Sequence, residues 1–150
     1  MTRTLTPLLA ALLLATAPMT HAAPLAEAAA PAAAMDEKVV YHVNDASIAR
    51  VALNNVNNHL NASPGVKIVV VTHGKGIDFL LNDAKDDKGA FEPQIAGLKE
   101  RGVDFRVCRN TLNSRKLNDN DVIMEAKVVP SGVAEIGMLQ AKEGYVYLKP

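Results

Sequence analysis

Apolar and polar positions switch period several times along this chain. KVVYHV at residues 38–43 is short, apolar and β-branched, and reads as a strand. Asp45 is suited to cap the helix that follows, ASIARVALNNVNNHL. In it Ile48, Ala52, Val56 and Leu60 recur every four residues as one apolar stripe, and Pro64-Gly65 ends it. VKIVVV at 66–71 has no polar alternation, the pattern of a strand covered on both faces. THGKGIDFLLND leaves it through a glycine loop into a short apolar turn, and AKDDKG reads as a charged surface loop.

Phe91, Ile95 and Leu98 mark the inner side of a second helix, which stops at Gly102. VDFRVC at 103–108 alternates. Val103, Phe105 and Val107 share one face, and Asp104, Arg106 and Cys108 share the other. Asn110 or Thr111 is placed to cap a short helix running to about Leu117. EAKVV is a further strand closed by Pro130. SGVAEIGMLQAKEG is a helix with Val133, Ile136, Gly137 and Gln140 on one side, and YVYLK is a last strand. Strands alternating with helices predict an α/β sandwich around a mostly parallel sheet. The half-polar faces of VDFRVC and YVYLK are suited to cover by a second copy, so an oligomer is expected.

Residues 1–37 lie outside that pattern. Arg3 followed by LTPLLAALLLATAPM, with Thr20 and Ala22 as small residues before a cut, reads as an export signal at 1–22, cleaved after Ala22 with Ala23 as the alternative. Pro7 and Pro18 bracket too few residues for a membrane span, so no stable membrane insertion is expected after cleavage. A lipid anchor would need a cysteine at the cut. Residues 23–37, rich in alanine and proline, read as a flexible tether, which leaves 38–150 as the folded domain. The expected location is the periplasm.

Charge narrows the partners. Lysine plus arginine equals aspartate plus glutamate at 16 each, so no basic field draws nucleic acid. Nothing in the sequence calls for a cofactor. The histidines lack metal-ligand spacing and the chain has 1 cysteine, so no metal site is expected.

That cysteine, Cys108, is the main chemical candidate. The periplasm oxidises thiols, and a lone cysteine has no partner in its own chain. It sits where a strand ends and a helix begins, between Arg106 and Arg109; helix-start N–H groups and positive charge both favour a thiolate. His73 ends the neighbouring strand and could orient a ligand or move a proton, whereas His42 and His59 read as structural. Without a CxxC pair a dithiol oxidoreductase is excluded. The anion cradle of rhodaneses and cysteine phosphatases needs arginine six residues after the cysteine, where Ser114 stands. HGKG lacks the rest of a P-loop.

The series VKIVVVTHGKGIDFLL, RGVDFRVCRNTL and VVPSGVAEIGMLQAKEGYVYLKP resembles the DsrE/DsrF-like family over Lys38 to Pro150, in its small single-domain members. The resemblance implies a three-layer α/β/α sandwich with a five-stranded, mainly parallel sheet, and assembly as trimers or hexamers. It also implies sulfur carriage, with Cys108 taking sulfane sulfur from a donor protein as a persulfide and passing it to an acceptor. By the same resemblance Asn110 and Thr111 form the turn after the cysteine, Ser131 and Gly132 border the site, and His73-Gly74 face it. Arg109 is expected to supply charge. The rival reading is a binding module in which His73, Lys75 and the helix starts hold a small anion while the cysteine is structural.

Overall fold

A computed structural model describes residues 36–150; the segment expected to be an export signal and nearly all of the expected tether lie outside the described residues. The last two tether positions are tied to the domain. Asp36 pairs with Lys38 and Lys67, and Glu37 accepts from His59.

In chain order the elements are β1 (Lys38–Val43), α1 (Ala49–Ala62), β2 (Lys67–Thr72), β3 (Lys85–Asp86), β4 (Gly89–Ala90), α2 (Glu92–Glu100), β5 (Asp104–Cys108), α3 (Arg109–Ser114), β6 (Ala126–Val129), α4 (Gly132–Glu143) and β7 (Val146–Leu148). Five of the strands form one sheet in the order β6-β5-β2-β1-β7, every neighbouring pair parallel. The charged stretch expected as a loop is the small antiparallel β3–β4 hairpin. Arg50 stabilises it, pairing with Asp86, donating to the Gly89 carbonyl and stacking on Phe91.

The order explains the layers. From β1 through β2 and β5 to β6 the chain steps in one direction across the sheet, and α1, α2 and α3 pack on one face. The step from β6 to β7 goes back across the whole sheet, and its helix α4 lies on the other face, as a consistent crossover hand requires. The first face holds the larger core: Tyr41, Ile68, Val70, Phe105 and Val107 against Leu53, Val56, Ile95, Leu98 and Leu112. The second is small, with Val40, Val69 and Val71 against Ile136 and Leu139. β2, central and covered on both sides, is buried from Ile68 to Thr72, as its unbroken apolar run predicts.

One expected helix detail changes. The buried line of α4 is Gly132, Ile136 and Leu139; Val133, Gly137 and Gln140 are exposed, because β1 and β2 together offer only a narrow apolar strip. The polar face of β5 is answered within the chain. Arg106 bridges Asp104 and the Glu135 carboxylate on α4, and Lys127 also pairs with Asp104.

Candidate functional site

The connections from β5 and β6 run to opposite faces of the sheet, and the carboxyl ends of strands at such a point are the usual ligand position in open α/β sheets. Cys108 ends β5 there. Ser131-Gly132 follow β6, and His73 follows β2.

Cys108 is the residue that caps α3, in place of Asn110 or Thr111. The strand's alternation already aims its side chain toward the α4 face, and the chain turns into a helix immediately after it. Asn110 and Thr111 therefore occupy the second and third helical positions, whose N–H groups have no partner inside a helix. Those two N–H groups, the Gly132 N–H and the Thr111 hydroxyl all act to lower the thiol, although the sulfur accepts no capping hydrogen bond from the helix. Burial pushes the Cys108 thiol up, at 4% exposure; the four donors outweigh it and hold the thiol below its ordinary value.

Thr111 connects two loops. Its hydroxyl oxygen accepts the Gly74 N–H at 3.0 Å, which leaves the hydroxyl proton free to turn to the sulfur. Gly132 marks how tightly the site is assembled. A Cβ on it would stand 3.1 Å from the Thr72 carbonyl oxygen, 3.2 Å from Cys108 Cβ and 3.3 Å from His73 Cβ. Only a residue without a side chain brings the first N–H of α4 so close to the sulfur. Ser131 caps α4, accepting the Ala134 N–H. In the HGKG loop, Gly76 is required for space: a Cβ there would meet the Val43 carbonyl at 2.1 Å. That loop packs on the end of β1 and presents His73-Gly74; Gly76 answers to packing and Gly74 to its left-handed backbone, with φ of 59°.

Arg109 does not play the expected part. Its guanidinium is held by both oxygens of Asp119 on the surface. Arg106 is spent on Asp104 and Glu135. The groups that lower the thiol are N–H and O–H dipoles, with no arginine among them.

His42, read from the sequence as structural, joins the site through His73. Their Nε2 atoms lie 2.6 Å apart, and His42 Nδ1 lies 2.7 Å from the Tyr147 hydroxyl. The signal was present in the register. His42 pairs with Val71, so His73, two residues on, points to the same side of the sheet. His59 is a separate matter, bonded to Tyr41 and Glu37. Among the described residues no cluster of three or more His, Cys, Asp or Glu side chains could hold a metal ion.

The fold has solved counterparts. A protein of unknown function from Methanobacterium thermoautotrophicum is 30% identical, with a TM-score of 0.70 over 77% of this chain and 100% of its own. The ychN protein from E. coli is 12% identical, with a TM-score of 0.63 over 76% of this chain and 99% of its own, a likeness of fold alone. No curated protein matches the chain. The sequence pattern of the DsrE/DsrF-like family matches residues 26–150, and the chain belongs to that family.

Proposed function

We propose that this protein carries sulfane sulfur on Cys108 and works in the periplasm. The observation that carries the reading is the position of Cys108, which ends β5 at the start of α3 with Gly132, the first residue of α4, packed against it; the N–H and O–H groups there lower the thiol despite its burial. A cysteine buried only for packing lacks such donors and is raised by its surroundings. With thiosulfate as donor the Cys108 thiolate attacks the outer sulfur, an S–S bond forms on Cys108, and sulfite leaves with the electron pair of the broken bond. The product is Cys108–S–S⁻, whose negative charge the same donors serve. An acceptor thiolate then attacks the outer sulfur, and Cys108 departs again as a thiolate. Membership of the DsrE/DsrF-like family supports the reading. One cysteine is sufficient for it.

The test is the intact mass of the mature protein after thiosulfate or polysulfide, and again after a reductant. A reversible gain of whole sulfur atoms, lost in Cys108→Ser, is the expected result. No gain, with an unreactive native thiol, overturns the proposal in favour of a non-covalent anion site. Calorimetry with small anions on Cys108→Ser then reads that alternative directly.

A further inference from the structure

His42, His73 and Tyr147 come from three different parts of the chain and form one hydrogen-bonded line at the carboxyl end of the sheet. Four ring nitrogens are involved, and three have partners: His42 Nδ1 with Tyr147, and the two Nε2 atoms with each other. His73 Nδ1 has no partner among the described residues and is not a buried atom. The line therefore has an open end at His73, whose Cβ abuts Gly132 alongside Cys108, and a second end at Tyr147, 38% exposed on the edge strand.

Two nitrogens 2.6 Å apart must hold one proton between them. Two lone pairs would repel, and so would two N–H groups. A metal ion does not fit between them, because ligand bonds of about 2.0–2.1 Å at a tetrahedral angle would separate the nitrogens by more than about 3 Å. Burial lowers both imidazoles, His73 lowers His42 further, and the Lys149 ammonium adds to the effect on both, so the neutral forms are favoured. The other charges nearby are the Cys108 sulfur across Gly132 and, on α4, Glu135, which Arg106 engages.

A neutral pair with one shared proton has two arrangements. In the first, His73 donates to His42, His42 Nδ1–H donates to the tyrosine oxygen, and His73 Nδ1 carries an open lone pair. In the second every bond is reversed and His73 Nδ1 carries the proton. A tyrosine hydroxyl, both donor and acceptor, permits either.

We propose that this line is a proton relay for sulfur transfer, with His73 Nδ1 as the base that deprotonates the incoming acceptor thiol and His42 and Tyr147 as positioning residues behind it. The inference rests on the sulfur-carrier reading. The acceptor R–SH gives its proton to His73 Nδ1. The resulting R–S⁻ attacks the outer sulfur of the Cys108 persulfide, the S–S bond to Cys108 breaks, and Cys108 leaves as the thiolate. His73 passes its Nε2 proton to His42, His42 passes its Nδ1 proton to Tyr147, and the hydroxyl releases its own to water.

The experiment loads Cys108 with polysulfide and follows discharge to dithiothreitol against pH, with rates taken per persulfide counted by mass. The proteins compared are the wild type, His73→Gln, His42→Phe and Tyr147→Phe. General base catalysis contributes roughly 100-fold or more, so discharge near neutral pH should slow by about that factor in His73→Gln and by less in the other two. At alkaline pH dithiothreitol is already a thiolate, and the four rates should converge. Equal rates at neutral pH, or deficits that persist unchanged at alkaline pH, overturn the relay alone. Absence of loading in the wild type overturns the carrier reading and the relay with it. Nitrogen spectra of the wild-type imidazoles give a second reading independent of any variant: one proton between the two Nε2 atoms is expected, and protons on both would overturn the relay.

Discussion

Gly132, the first residue of α4, packs against Cys108 with little room for a side chain. The methyl of Gly132→Ala would stand 3.2 Å from Cys108 Cβ and 3.1 Å from the Thr72 carbonyl oxygen. Neither neighbour gives easily, since Thr72 is fully buried at the end of the central strand and Cys108 ends the next. Overpacking of this kind costs about 1–3 kcal/mol. The larger effect is on the site, because α4 must move outward and carry its N–H away from the sulfur. Gly132→Ala should raise the Cys108 thiol toward its ordinary range, read as a shift to higher pH of the iodoacetamide alkylation profile. An unshifted profile would show that the Gly132 N–H does not lower the thiol.

Thr111 acts through its hydroxyl alone. Thr111→Val keeps the shape and removes both the acceptor for the Gly74 N–H and the donor to the sulfur. The loss of one such hydrogen bond costs about 1 kcal/mol of stability, and the thiol should rise. Thr111→Ser restores the hydroxyl and should restore both. The denaturation midpoint and the alkylation profile measure the two effects separately. Recovery of stability without recovery of the profile would remove the hydroxyl from the list of groups acting on Cys108.

A lowered thiol is also a statement about stability. The folded protein releases the Cys108 proton at a lower pH than the unfolded chain does, where a free thiol titrates at about 8.5. The extra stability is therefore full above the unfolded value and is lost as pH falls through the folded one. The stability of the wild type relative to Cys108→Ala should grow as pH rises from about 6 to about 9. Urea unfolding of both proteins across that range checks it. A constant gap would mean that the thiol titrates alike in both states.

Much of this fold was legible because it rests on runs of side chains. The unbroken apolar stretch of β2 and the four-residue stripe of α1 could hardly fold otherwise. The Cys108 crevice was legible too, since strand-to-helix transitions are visible as changes of period. Three features were not. Of the side expected of α4, Ile136 is buried but Val133, Gly137 and Gln140 are exposed, because period alone cannot say how wide a strip the sheet offers. His42 looked structural because its partners, His73 and Tyr147, lie 31 and 105 residues away in sequence. Arg109 looked like a source of charge because the sequence does not show Asp119 folding back onto it. In each case the missing information was which distant segment packs alongside.

Arg106 separates charge from dipole at this site. It lies two residues before Cys108 on the same face of β5, half-buried, with Asp104 and Glu135 around its guanidinium. Burial raises the Asp104 carboxyl, but Lys127 and Arg106 outweigh it and hold the group below its usual range. Arg106→Met removes the charge shared by two carboxylates and should cost about 2 kcal/mol, the scale of hydrogen bonds to a charged group. Arg106→Lys should recover only part, because an ammonium cannot reproduce the planar fork that spans both acids. As pH falls through the lowered range of Asp104, its contribution fades, and the deficit of the methionine variant should narrow. The thiol should not follow. Its lowering comes from Gly132, Thr111 and Asn110, so the alkylation profile of the folded Arg106→Met protein should overlay that of the wild type. A shift to higher pH would restore the guanidinium to the account of how this cysteine is activated; an unchanged profile, with stability reduced, assigns Arg106 to holding α4 on the sheet and leaves the sulfur to the N–H and O–H groups around it.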